Sequence, residues 1–86
     1  MQNRRDQRRH QRRVVDRPAR IVLAAGDEPC RIQDVSAGGA KLTTAASSWL
    51  PTFFDLEDVF SGGRHAVARV WSQHHFIGVR FLNKRS

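Results

Sequence analysis

His65-Ala66-Val67-Ala68-Arg69-Val70-Trp71, then the polar Ser72-Gln73-His74-His75, then Phe76-Ile77-Gly78-Val79-Arg80-Phe81-Leu82: this stretch decides the fold. Both flanking runs are rich in residues that suit a pleated surface, and a short polar segment separates them. In the second run Ile77, Val79 and Phe81 fall on one face, while Gly78 and Arg80 fall on the other. In the first, Val67, Arg69 and Trp71 share a side opposite Ala66, Ala68 and Val70, and Trp71 is read as core rather than as part of a ligand face. Two such runs predict paired strands with one apolar face.

Working back toward the N-terminus, the same kind of segment recurs. Phe53–Leu56 reads as a strand, and Ser61-Gly62-Gly63 breaks the chain after it. Gly39–Thr44 alternates Ala40 and Leu42 against Lys41 and Thr43, and Cys30–Val35 alternates Cys30 and Ile32 against Arg31 and Gln33. Between these two lies the tight turn Ser36–Gly39. Arg20–Ala25 is the first strand, with Gly26-Asp27-Glu28-Pro29 as its turn. A loop runs from Ala45 to Ser48 and ends at Trp49-Leu50-Pro51, with room for one helical turn. Six short strands at this spacing, with no long helical pattern, predict an all-β fold, a small six-stranded antiparallel β-barrel. Closure is preferred over an open sheet because it removes exposed strand edges.

The 86 residues suffice for one domain. A chain of that size buries about 60–65% of its unfolded surface, enough for one core and not for a deep walled active site as well. The single cysteine, Cys30, excludes an intrachain disulfide and a cysteine zinc site, and reads as a small buried hydrophobe. No apolar run approaches the roughly 18 residues of a membrane span, and the basic N-terminus lacks a signal peptide's apolar stretch. A soluble, cytoplasmic protein is the expectation.

Charge is unevenly placed. Of the net +7, residues 1–20 hold eight arginines against Asp6 and Asp16, a balance of +6, which leaves +1 for residues 21–86. No lysine is among those cations. Arginine's planar fork matches phosphate oxygens or the O6/N7 edge of guanine, so an anionic partner is expected at the N-terminal end. Residues 1–18 show no apolar periodicity, and like charges four apart would repel in a helix. They are read as a flexible arginine-rich N-terminal arm, with the barrel domain running from 19 to 86.

Two features carry chemistry: Arg8-Arg9-His10-Gln11-Arg12-Arg13, and Asp34-Val35-Ser36-Ala37-Gly38-Gly39. Alone, the second reads as a well-made hairpin turn in which Asp and Ser bond nearby N–H groups, while Gly38 and Gly39 permit positive φ or a close ligand approach. Together and in this order, the two resemble the PilZ domain family of bacterial proteins, known for RxxxR followed by (D/N)xSxxG. Arg8 and Arg12 supply the first motif; Asp34, Ser36 and Gly39 supply the second. The endings Ala68-Arg69-Val70-Trp71 and Ile77-Gly78-Val79-Arg80-Phe81 look like that family's last two strands.

The resemblance implies a receptor for the dianionic second messenger cyclic di-GMP. In this reading Arg8 and Arg12 pair with phosphate and guanine or stack on a base, Asp34 accepts from a guanine N1–H and N2–H₂ edge, and Ser36 bonds phosphate or base. Gly39 keeps the floor open. Arg9 is the third arginine contributor, and Arg13 is held in reserve because Arg9 and Arg13 fit the same spacing. The arm is expected to order on binding and to change the surface offered to a downstream protein partner in trans. No cofactor beyond that ligand is implied, and no membrane insertion.

His10, His65, His74 and His75 read as surface residues, since adjacent histidines in a strand face opposite ways. Asp55, Glu57 and Asp58 read as a solvated strand end. No base is placed near Ser36, so an enzyme is not expected. The rival is a basic barrel that binds nucleic acid, which would call for aromatic platforms among its cations. The third reading is a PilZ-like protein-interaction module that no longer binds nucleotide.

Overall fold

A computed structural model of the chain describes residues 13–59 and 61–82. Six strands follow in order: β1 (Arg13–Val22), β2 (Glu28–Val35), β3 (Gly39–Thr43), β4 (Phe53–Asp58), β5 (Arg64–Gln73) and β6 (Phe76–Phe81). They close as β1-β2-β3-β6-β5-β4, with β4 pairing back onto β1 and every pairing antiparallel. The all-β class and the closed six-stranded barrel are therefore as the sequence predicts.

Alternation along each strand explains the core. Ile21, Leu42, Leu56, Val67 and Ile77 are fully buried, one each from β1, β3, β4, β5 and β6, and Ile32 of β2 joins them. A barrel this small is filled by its own side chains and leaves no internal channel. The connection between β3 and β4 adds Ala46 and Leu50 to that core. A hydrogen-bonded turn stands there, with Trp49 N–H donating to the Ala46 carbonyl at 3.1 Å, and it does not become a helix. Ser47 anchors it by donating its hydroxyl to the His74 carbonyl.

Strand one differs from expectation. It begins at Arg13 and not at Arg20, so the boundary drawn at residue 18 falls inside β1, and residues 24–25 form the turn beyond it. The strand escaped notice because its apolar signal is broken by a bulge: the register shifts between Val14 and Arg17, and Asp16 takes φ 45°. Its pairing comes from backbone contacts to two neighbours, β2 along Arg13–Ile21 and β4 along Ala19–Val22.

Trp71 is the second correction. A register shift between Arg69 and Trp71 inserts Val70 as an extra residue, so Trp71 pairs with Gly78 and lies on the outside, 43% exposed. One inserted residue reverses the face of everything beyond it. The acidic run is also more engaged than a solvated strand end. Asp58 is paired with Arg17 at 2.9 Å, its side chain 13% exposed, while Glu57 and Asp55 meet Arg20 and Arg64 at 3.4 and 3.8 Å.

Candidate functional site

The Asp34–Gly39 turn closes through Ser36 N–H donating to the Gly39 carbonyl at 2.8 Å, and β6 holds it from the side through Phe81 N–H donating to the Gly38 carbonyl at 2.9 Å. Neither Gly38 nor Gly39 has positive φ; among described glycines only Gly26 and Gly62 do. The need for glycine at position 39 is close packing. A Cβ there would stand 2.1 Å from the Val79 carbonyl oxygen, a backbone atom that cannot step aside. At Gly38 a Cβ would meet nothing within 4 Å.

From this turn a straight row crosses five strands of the outer surface. Val14 pairs with Asp34, Asp34 with Lys41, Lys41 with Gly78, and Gly78 with Trp71. Directly opposed residues on one face lie within about 4.5–5.5 Å of each other. The row thus sets a carboxylate, an ammonium and an indole side by side. The indole lies over Gly78, which has no Cβ to hold it off. Lys41 Nζ also stands 5.2 Å from the Phe76 ring centroid, a cation–π contact.

These residues line an open concavity of about 490 Å³ that includes Asp34, Ser36, Gly39, Lys41, Trp71 and Arg80. Its size falls within the roughly 300–1,000 Å³ of small-molecule sites. The lining joins an acceptor, two cations, a hydroxyl and a π-face, which suits a planar, hydrogen-bonding, anionic ligand. A larger concavity of about 880 Å³ lies over β1 and β2 around Pro18, Pro29 and Val59. Its arginines, Arg20 and Arg31, are already paired with Glu57 and Asp16, so it offers less to an anion.

Of the residues predicted for the site, Asp34, Ser36 and Gly39 are brought together. Arg13 sits at the same end of the barrel, paired with Val35, on the alternate face from Val14 and Asp34. Arg8, Arg9 and Arg12 lie outside the described residues, as does His10. Lys41 and Arg80 carry no motif signal in the sequence, and Trp71, read from the sequence as core rather than ligand face, lies at the concavity instead. The β-bulge hid Trp71, but Lys41 and Arg80 fall on the outward side of the alternation already read for their strands. Among the described residues no three metal-ligating side chains gather, and no helix is long and apolar enough to cross a membrane. Burial raises the Cys30 thiol pKa to about 12.

Fold and surface together define a small closed barrel whose outer face, rather than its interior, carries the carboxylate, the cations and the indole of that concavity. The PilZ domain family model matches residues 6–85, nearly the whole chain, and the chain belongs to the PilZ domain family, known for cyclic di-GMP receptors rather than enzymes. A search of curated proteins found no match.

Proposed function

We propose that this chain is a cyclic di-GMP receptor that signals to a protein partner in trans. One observation carries the reading. β1 opens with Arg13 opposite Val35 and Val14 opposite Asp34, so the arginine-rich segment joins the barrel beside the motif turn and at the end of the Asp34–Lys41–Gly78–Trp71 row. A guanine edge meets Asp34 and a base plane meets Trp71. Phosphates meet Lys41 or Arg80 from the barrel side and Arg8, Arg9 or Arg12 from the other, Arg13 lying on the alternate face of β1. At roughly 1.5–3 kcal/mol for each charge-assisted bond, four or five such contacts reach micromolar affinity after association costs. Closure of the arginine segment over the ligand changes the surface that the partner reads.

Calorimetric titration tests this, with cyclic di-GMP as ligand and GMP and single-stranded DNA as controls. Saturable binding of cyclic di-GMP, lost in Asp34→Ala and Arg12→Ala, supports the receptor reading; no heat from cyclic di-GMP overturns it.

A second reading keeps one favourable observation. Trp49, Phe53, Trp71 and Phe76 are all exposed, 38–65% of their surface remaining open. Exposed aromatics beside cations are what a single-strand-binding face needs. Salt-sensitive DNA binding in the same titration, without cyclic di-GMP binding, would put this reading first.

A further inference from the structure

We propose that Asp16 and Arg31 are a positioning pair that fixes the register in which the start of β1, Arg13 and Val14, meets the Asp34 turn. Neither residue belongs to either motif or lines the concavity at the turn.

The geometry around Asp16 is unusual for a strand. Its φ of 45° is left-handed, a conformation that non-glycine residues seldom adopt and that Asp tolerates better than most. It sits in the bulge of β1, where four residues, Val14 to Arg17, span the three residues Ile32 to Asp34 of β2. Arg31 grips it at two points. Arg31 Nε donates to Asp16 Oδ1 at 2.9 Å, and Arg31 Nη2 donates to the Asp16 carbonyl at 3.1 Å. One guanidinium therefore holds both the side chain and the backbone of the bulged residue.

The bulge sets what lies before it. Beyond Arg17, β1 is tied to β2 and β4 on both sides; before it, Arg13 and Val14 pair only with β2. Removing the extra residue would slide Arg13 and Val14 by one place against Val35 and Asp34, and a slip of one exchanges the two faces. The register at the start of β1 decides which of Arg13 and Val14 stands opposite Asp34. Both Asp16 and Arg31 are more than half exposed, so the pair adds little to global stability. Its effect is on direction.

The functional consequence rests on the cyclic di-GMP reading, and two measurements separate the claims. Amide hydrogen exchange is followed at residues 13–15 in the wild type and in Arg31→Ala, Asp16→Val and Asp16→Gly. Cyclic di-GMP affinity and melting temperature are measured for the same four proteins. In Asp16→Val the β-branched side chain resists positive φ, and in Arg31→Ala both bonds are lost. Both should speed exchange at 13–15 and weaken cyclic di-GMP binding about tenfold, with the melting temperature unchanged in Arg31→Ala and lower by about 5 °C in Asp16→Val. Asp16→Gly keeps the backbone and the carbonyl bond, and should stay within about threefold of wild type. Wild-type exchange at 13–15 in both Arg31→Ala and Asp16→Val overturns the positioning claim. Failure of wild-type protein to bind cyclic di-GMP overturns the ligand reading instead, and the exchange data then decide the positioning claim alone.

Discussion

The indole of Trp71 lies so close over Gly78 that a Cβ on Gly78 would stand 2.0 Å from the indole Nε1. The side chain that would have to move is an exposed one, so Gly78→Ala should leave a folded barrel with a displaced indole. A stability loss of about 1 kcal/mol is expected, at the low end for overpacking. On the proposed receptor reading, cyclic di-GMP affinity should fall in Gly78→Ala, and Trp71→Ala should lower it about as much. Calorimetry on both variants checks this. Unchanged affinity in Trp71→Ala would remove the indole from the site.

Gly39 and Gly38 should behave as opposites. Gly39→Ala puts a methyl against the Val79 carbonyl, where two paired strands would have to part. A loss of roughly 2–3 kcal/mol is expected in denaturant unfolding. Gly38→Ala should fall within about 0.5 kcal/mol of wild type, since open space surrounds it. Equal effects would mean that the second glycine serves the turn and not the β3–β6 contact.

Cys30 should resist alkylation while the barrel is folded. Its thiol pKa is pushed up to about 12 from 9.0 by burial. At pH 8 the folded protein should react far more slowly than the urea-unfolded chain, because burial both suppresses the thiolate and blocks access to the sulfur. The sign for stability follows. The folded state keeps the proton longer, so the contribution is complete below pH 9 and is lost as pH rises toward 12. In Cys30→Ala that part of the alkaline decline in melting temperature should disappear.

Leu42 and Arg64 bracket what a side chain is worth here. Leu42 is fully buried at the centre of the barrel, and Leu42→Ala should cost about 2–5 kcal/mol. The Arg64–Asp55 pair is half exposed and spans 3.8 Å, so Arg64→Ala should change stability by less than about 0.5 kcal/mol. Urea titrations of both decide it.

What was legible in the sequence follows from what alternation can and cannot encode. β3 and β6 read correctly because each has an unbroken period of two, with Ala40 and Leu42 or Ile77 and Val79 facing inward. β1 and the end of β5 did not, because each contains a bulge that breaks the period where the reading depended on it. Trp71 was therefore placed in the core. The Asp34–Gly39 motif was legible as a unit, but the reason for Gly39 was not. The carbonyl it must clear belongs to Val79, forty residues away in sequence and adjacent only after folding.

β1 divides its labour along its length. Its last four residues seal the seam with β4, while its first two flank the turn that carries the ligand motif. The two halves do different work: the seam with β4 closes the barrel, and the start of β1 only borders the Asp34 turn. Thermal stability therefore reports on the seam, and on the proposed receptor reading it is a poor proxy for ligand binding at the turn.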